Sequence, residues 1–206
     1  MTTTTVTGAT RSKLPLAAAS GFLAGFFGLT AVAAVGDELP KPDAPTRDVV
    51  SYYTDNALAS SLTGVIMLLG AAALFAVVRG GFVRPLGRAA RGAGMAAVAL
   101  LCLSALTGFA LALFTPGLAD GTVGLLRDVN FATGGTLHVA ALGLFVLFAA
   151  RGGPFGRGVT RFGYVAGAVA VMSLLSLAVY GASPLIPVGR LLCMAWLITA
   201  VLRARR

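Results

Sequence analysis

The chain has 206 residues, 57% of them hydrophobic and only 11% charged, with 16 Lys and Arg against 7 Asp and Glu and a formal net charge of +9. An ordinary soluble domain carries roughly 25% charged residues, so this composition excludes a water-soluble globule of the same size. A basic excess in a soluble protein would point to nucleic acid. Here the basic residues sit in short segments between apolar runs of about 20 residues, the length that crosses a bilayer, so they read as topology signals and no nucleic-acid partner is expected.

Residues 1–13 are Thr-rich and without apolar period, which predicts a disordered tail ending in Arg11 and Lys13. Leu14–Val35 is the first apolar run, about 33 Å long as a helix. Its Gly21 and Gly25, four residues apart, predict close approach of a helix partner. A secretory signal is the competing reading, with Arg11 and Lys13 in front and Ala31-Val32-Ala33 resembling a cleavage site. Signal cores run about 7–15 residues, and this run is longer, which favours a span.

Gly36–Ser60 is the longest polar stretch and holds five of the seven acids, Asp37, Glu38, Asp43, Asp48 and Asp55. Pro40, Pro42 and Pro45 predict an extended loop. From Arg47 the spacing of Val49, Val50, Tyr53, Ala57 and Leu58 turns helical, with Thr46 as the expected N-cap. Tyr52 and Tyr53 fall where interfacial aromatic belts lie.

The second span is expected over residues 57–78, followed by a basic turn carrying Arg79, Arg84, Arg88 and Arg91. The third, 92–114, stops at Thr115-Pro116-Gly117. Residues 118–130, with Asp120, Arg127 and Asp128, are expected as an outer loop before a fourth span over 131–150. A second basic turn with Arg151, Arg157 and Arg161 leads to a fifth span, 162–180, and a short turn containing Pro184 opens a sixth, 185–202, which ends in Arg203, Arg205 and Arg206. Leu74-Phe75 to Gly81 and Leu147-Phe148 to Gly153 look alike, but any two hairpins with a basic turn share that pattern.

Twelve of the sixteen basic residues lie on one side of this arrangement, while Lys41, Arg47, Arg127, Arg190 and all seven acids lie on the other. The positive-inside rule then predicts both termini in the cytoplasm and an even number of spans, which six apolar runs satisfy. The expectation is an all-α polytopic protein: a tail over 1–13 and one six-helix transmembrane domain over 14–206, in a bacterial plasma membrane.

The densest polar group beside an apolar run is Arg127-Asp128-Val129-Asn130-Phe131 through the single histidine, His138. At ~100° per residue, Arg127, Phe131, Gly134, His138, Leu142 and Phe145 share one face of a regular helix. His138 lies ~10 Å inside the fourth span, where ionisable groups face a bundle interior or a cavity. Arg190, near the outer end of the sixth span, can snorkel or pair with Asp128. These residues suggest an outward-facing polar vestibule made of Tyr53, Asp55, Asn56, Arg127, Asp128, Asn130, His138 and Arg190.

One histidine excludes bis-histidine haem ligation, and Cys102 and Cys193 form no metal or disulfide pattern, so no metal and no cofactor are expected. A rhomboid-type protease needs a Gly-x-Ser-Gly nucleophile ahead of its histidine. Gly181-Ala182-Ser183-Pro184 lacks the final glycine and follows His138, so no catalytic residue is assigned.

Taken together, Tyr52-Tyr53 with Asn56, the Arg127–Phe131 segment, the Arg151–Pro154 turn and the closing arginines resemble a widespread group of small six-helix bacterial membrane proteins classed as a domain of unknown function. The resemblance runs over residues 14–206. It implies an architecture and no activity. The expected role is a non-enzymatic membrane protein that binds or senses a ligand or partner at its outer rim; the alternatives are a small-solute transporter and an intramembrane enzyme.

Overall fold

The computed structural model describes residues 14–35, 40, 44–80 and 86–204. The expected tail 1–13, the acids Asp37, Glu38 and Asp43, and Lys41, Arg84, Arg205 and Arg206 lie outside the described residues. Among the described residues the chain is helical throughout: α1 Leu14–Val35, α2 Thr46–Asp55, α3 Ala57–Gly80, α4 Arg88–Phe114, α5 Asp120–Phe131, a π-helical stretch Ala132–Leu137, α6 His138–Gly152, α7 Arg157–Met172, a 3₁₀ stretch Ser173–Leu177 and α8 Leu185–Ala204.

Five of these rods are long and apolar enough to cross a membrane: Ala57–Gly80, Arg88–Gly117, Asp120–Gly152, Arg157–Leu177 and Leu185–Ala204. Their outer faces remain apolar, with Leu58 76% and Leu69 64% exposed. Patches of that kind suit hydrocarbon, where the helix satisfies its own backbone.

The interior holds Leu74, Leu142, Phe145, Met194, Trp196 and Leu197, all essentially without exposure. Small residues set the helix spacing. A Cβ on Gly143 of α6 would stand 2.7 Å from the Gly167 carbonyl oxygen of α7, and one on Gly167 would stand 2.8 Å from the Gly143 oxygen. The two backbones touch, as in glycine-mediated membrane packing. Trp196 seals the neighbouring α7–α8 contact, donating from Nε1 to the Val159 oxygen at 2.9 Å.

On the Gly21/Gly25 face of α1, the neighbour is α3 of the same chain, with Ala73 and Ile66 about 4 Å from those glycines' Cβ positions.

Several boundaries differ from the sequence reading. Residues 120–131 form α5 rather than a loop. Their charges suggested solvent, but α5 is amphipathic and buries Val123 against Val49 and Tyr53 of α2 and Leu111 of α4. The fourth rod therefore runs 33 residues, Asp120–Gly152, about 50 Å. That exceeds a hydrocarbon core of roughly 30 Å, so α5 and α2 form a cap at one end of the bundle. Arg88, Arg91, Arg157 and Arg161 are helical, which shortens the basic turns.

Regular helix in the fifth rod ends at Met172, short of Tyr180. There Ser176 Oγ donates to the Ser173 oxygen at 2.7 Å, a local bond that competes with the α ladder. Thr46 is the first helical residue of α2 and gives no side-chain cap; Pro45, extended at ψ 142°, precedes it and offers the first turn only its backbone carbonyl, which accepts from Asp48 N–H at 3.0 Å.

Candidate functional site: two cavities beside a π turn

The sequence Thr133-Gly134-Gly135-Thr136 breaks the regular ladder of the fourth rod. Two adjacent glycines lower the cost of leaving α geometry, and the segment from Ala132 to Leu137 bonds i to i+5. A π turn takes in about one extra residue and leaves carbonyls displaced from the ladder, a geometry that recurs at functional sites. In a membrane interior those carbonyls need donors from elsewhere.

They find them on three elements. Ser104 Oγ of α4 donates to the Asn130 oxygen at 3.2 Å. Arg190 Nη2 of α8 donates to the Gly134 oxygen. Ser173 Oγ donates to the Thr136 oxygen at 3.2 Å, and the Thr136 and Ser176 hydroxyls lie 2.9 Å apart. Asn130 closes the network with Nδ2, which donates to the Ser104 oxygen at 2.6 Å and Thr107 Oγ1 at 3.2 Å. Gly134 has to be glycine, because a Cβ there would lie 2.0 Å from Ser104 Oγ.

Directly after the turn comes His138, with no exposed surface. Its Nδ1 is 2.9 Å from the Ala97 oxygen. A carbonyl only accepts, so Nδ1 carries the hydrogen; in the neutral ring Nε2 is then a bare acceptor. That Nε2 has no partner among the described residues, and neither has Arg190 Nε. The guanidinium lies over the Phe26 ring, 5.9 Å from its centroid, within cation–π range. Phe22 meets the His138 ring edge-on at 6.3 Å.

Arg190 and His138 both face a chamber walled by apolar side chains of α1, α3 and α4, among them Phe22, Ile66 and Leu101. The space open to the centre of a water-sized sphere is about 20 Å³, enough for one water molecule.

A second cavity, about 250 Å³ by the same measure, lies toward the α2/α5 cap. Tyr52, Tyr53, Ser60, Thr63 and Asn130 give it a polar wall. The buried Ser60 Oγ has no partner among the described residues. Leu29 and Met67 belong to the walls of both cavities and so stand between them. Burial holds the Tyr53 phenol protonated well beyond the usual range, pushing its pKa from 10.0 up to about 12, with neighbouring Tyr52 adding to the effect.

The eight residues expected in one vestibule divide into three groups. Tyr53 and Asn130 line the larger cavity; His138 and Arg190 line the chamber. Asp55, Asn56, Arg127 and Asp128 are in neither wall. Asp55 accepts from Ser51, and Asn56 Nδ2 donates to the Tyr52 oxygen. Arg127 pairs with its neighbour Asp128 at 2.9 Å and donates from Nη1 to the Ala44 oxygen at 2.7 Å, tying α5 to the start of α2.

The expected Asp128–Arg190 pair is not formed, because each has another partner. Nor do Arg127 and His138 share a face: the π turn between them rotates the later residues by about 100° relative to a regular helix.

Ser60, Thr63, Ser104, Phe22 and Met67 were missed by the sequence reading, and Tyr52 was read there only as an interfacial aromatic. For Ser60, Thr63 and Ser104 a hydroxyl inside an apolar run was the available signal; Phe22 and Met67 gave none. Among the described residues no three His, Cys, Asp or Glu side chains converge on a metal position. No family model, curated protein or solved structure matches the chain.

Proposed function

We propose that the chain is a non-enzymatic integral membrane protein that binds a small, largely apolar ligand in the cavity beneath the α2/α5 cap. The observation that carries this reading is the cavity itself: about 250 Å³ of space bordered by Tyr53, Thr63 and Asn130, next to a buried hydroxyl, Ser60 Oγ, without a partner among the described residues. Concave sites with an apolar lining and a few fixed polar groups are the usual form of small-ligand sites.

In this reading α1 is the sixth span. The basic turns and both chain ends face the cytoplasm of a bacterial cell, and the cap faces outward, in keeping with the distribution of arginines. The likeness to small six-helix bacterial membrane proteins belongs to the same proposal and contributes architecture alone.

The test is a thermal-shift screen of small aromatic and aliphatic compounds on the detergent-solubilised protein and on Thr63→Trp, which fills the cavity. Compounds that bind the folded state raise its stability, by about 2.7 kcal/mol at a hundred times Kd. The proposal expects compounds that stabilise the native chain and leave Thr63→Trp unmoved. Equal shifts in both proteins, or none in either, contradict it.

A second reading, a small-solute transporter, is favoured by the interrupted helix at Ala132–Leu137 and by Arg190 and His138 beneath the cavity. Broken helices at charged sites are the form that transport sites take. Uptake of a binding compound into proteoliposomes separates transport from binding alone.

A further inference from the structure

We propose that the His138–Arg190 chamber is the polar end of that ligand site and takes one hydroxyl group, carried by an otherwise uncharged alcohol or phenol. This rests on the binding reading above and names its ligand class.

His138 and Arg190 line the chamber, and each carries one buried polar atom without a partner among the described residues, the Nε–H donor of Arg190 and the Nε2 acceptor of His138. The His138 assignment follows from its Nδ1 bond to the Ala97 carbonyl. A group that satisfies both must accept one hydrogen bond and donate another. A hydroxyl does so. A carboxylate has no hydrogen for Nε2 and sets its charge against that lone pair. An ammonium is repelled by the guanidinium. An ether or ketone accepts from Arg190 and leaves Nε2 unpaired, and an unpaired buried polar atom costs about 1–3 kcal/mol.

Size restricts the ligand further. About 20 Å³ admits one oxygen-sized group and no more, so the rest of the ligand has to lie elsewhere. The larger cavity is the neighbouring space, and only the Leu29 and Met67 side chains are common to both walls. Methionine is unbranched and adaptable, so Met67 can move aside for a chain or ring passing between the two.

The experiment compares 4-propylphenol with 4-propylanisole, in which a methyl group replaces the hydroxyl hydrogen. Binding to the full chain in detergent is measured by calorimetry and by ¹⁵N spectra of the ring of His138, the only histidine in the sequence. The phenol is expected to bind saturably, roughly tenfold or more tighter than the anisole, the value of one hydrogen bond to a charged or buried partner. It is also expected to move the Nε2 resonance upfield. Arg190→Gln removes the donor that both oxygens use, so it should weaken both compounds and leave the preference for the phenol, which rests on His138 Nε2, in place.

Should that variant fail to fold, the phenol–anisole comparison on the native chain decides alone. Equal saturable binding of both compounds with an unmoved Nε2 resonance overturns the chamber assignment and leaves the cavity reading intact. An Nε2 signal already shifted by a water that the phenol does not displace does the same. Absence of saturable binding by either compound contradicts the cavity reading, and the chamber assignment with it.

Discussion

The helix His138–Gly152 has two very different sides. Toward α7 and the Trp196 end of α8 the packing is close: Gly143 and Gly167 bring backbone against backbone, and Trp196 donates its one hydrogen to Val159. Toward α1, α3 and α4 the same helix carries an imidazole nitrogen without a partner among the described residues, on a residue that lines the chamber. Burial is complete in both places, since Phe145, Leu142 and His138 are all inaccessible. The difference lies in what the buried groups do. Close packing makes the α6–α7 contact and the Trp196 end of α8 a scaffold. On the other side, unpaired polar atoms and unfilled volume coincide, and buried groups of that kind call for an explanation in terms of ligand or water.

The largest effect should come from breaking the packed side. Gly143→Leu pushes a branched side chain into the Gly167 carbonyl, where backbone cannot give way. A loss of about 3 kcal/mol, the top of the overpacking range, is expected, seen as lost monodisperse protein or a lowered melting temperature in detergent. A near-native melting temperature would mean that the two sides are equally loose.

Next in size is the network that supports the π turn. Asn130→Ala removes the donor shared by the Ser104 oxygen and Thr107 Oγ1 and should cost roughly 2 kcal/mol in thermal or denaturant unfolding. A cost below about 0.5 kcal/mol would show that the turn does not depend on α4.

The cap sharpens the comparison at lower cost. Arg127→Ala should lose about 1 kcal/mol, because its guanidinium is mostly covered and also holds the Ala44 carbonyl. Asp128→Asn should lose less than about 0.5 kcal/mol, its carboxylate being 61% exposed. The reverse order would mean that the pair, and not the tie to α2, secures the cap.

The smallest effect at neutral pH belongs to Tyr53. Its raised pKa favours the protonated phenol in the folded state, so its contribution is complete below pH 10 and is lost as pH climbs from 10 toward 12. Tyr53→Phe should leave the melting temperature at pH 8 nearly unchanged and flatten its decline above pH 10. An unchanged decline would mean that Tyr53 is solvated in the folded protein.

The sequence carried the helical class and most of the long apolar rods, because runs of about 20 apolar residues have few other uses. It missed α5, since Asp120, Arg127 and Asp128 outweighed the single buried position at Val123. The π turn was invisible for a different reason. Thr-Gly-Gly-Thr has no periodicity that separates i+4 from i+5 bonding, and the wheel that joined Arg127 to His138 assumed an unbroken helix.

His138 and Arg190 stood out as charged or titratable residues in apolar runs, and both line the chamber. Their partners, the Ala97 and Gly134 carbonyls, did not stand out, because backbone acceptors leave no mark in a sequence. Tyr53 and Asn130 were likewise singled out, while Ser60 and Thr63 were lost among the many hydroxyls of a Ser- and Thr-containing span.

The most direct test of the unpaired side is the ¹⁵N ring spectrum of His138 in the ligand-free protein, expressed without a histidine tag. The account predicts a neutral ring with the hydrogen on Nδ1, bound to the Ala97 carbonyl, and Nε2 as the bare acceptor facing the chamber. A ring with its hydrogen on Nε2 and Nδ1 bare would contradict it, for the chamber would then present two donors and no acceptor.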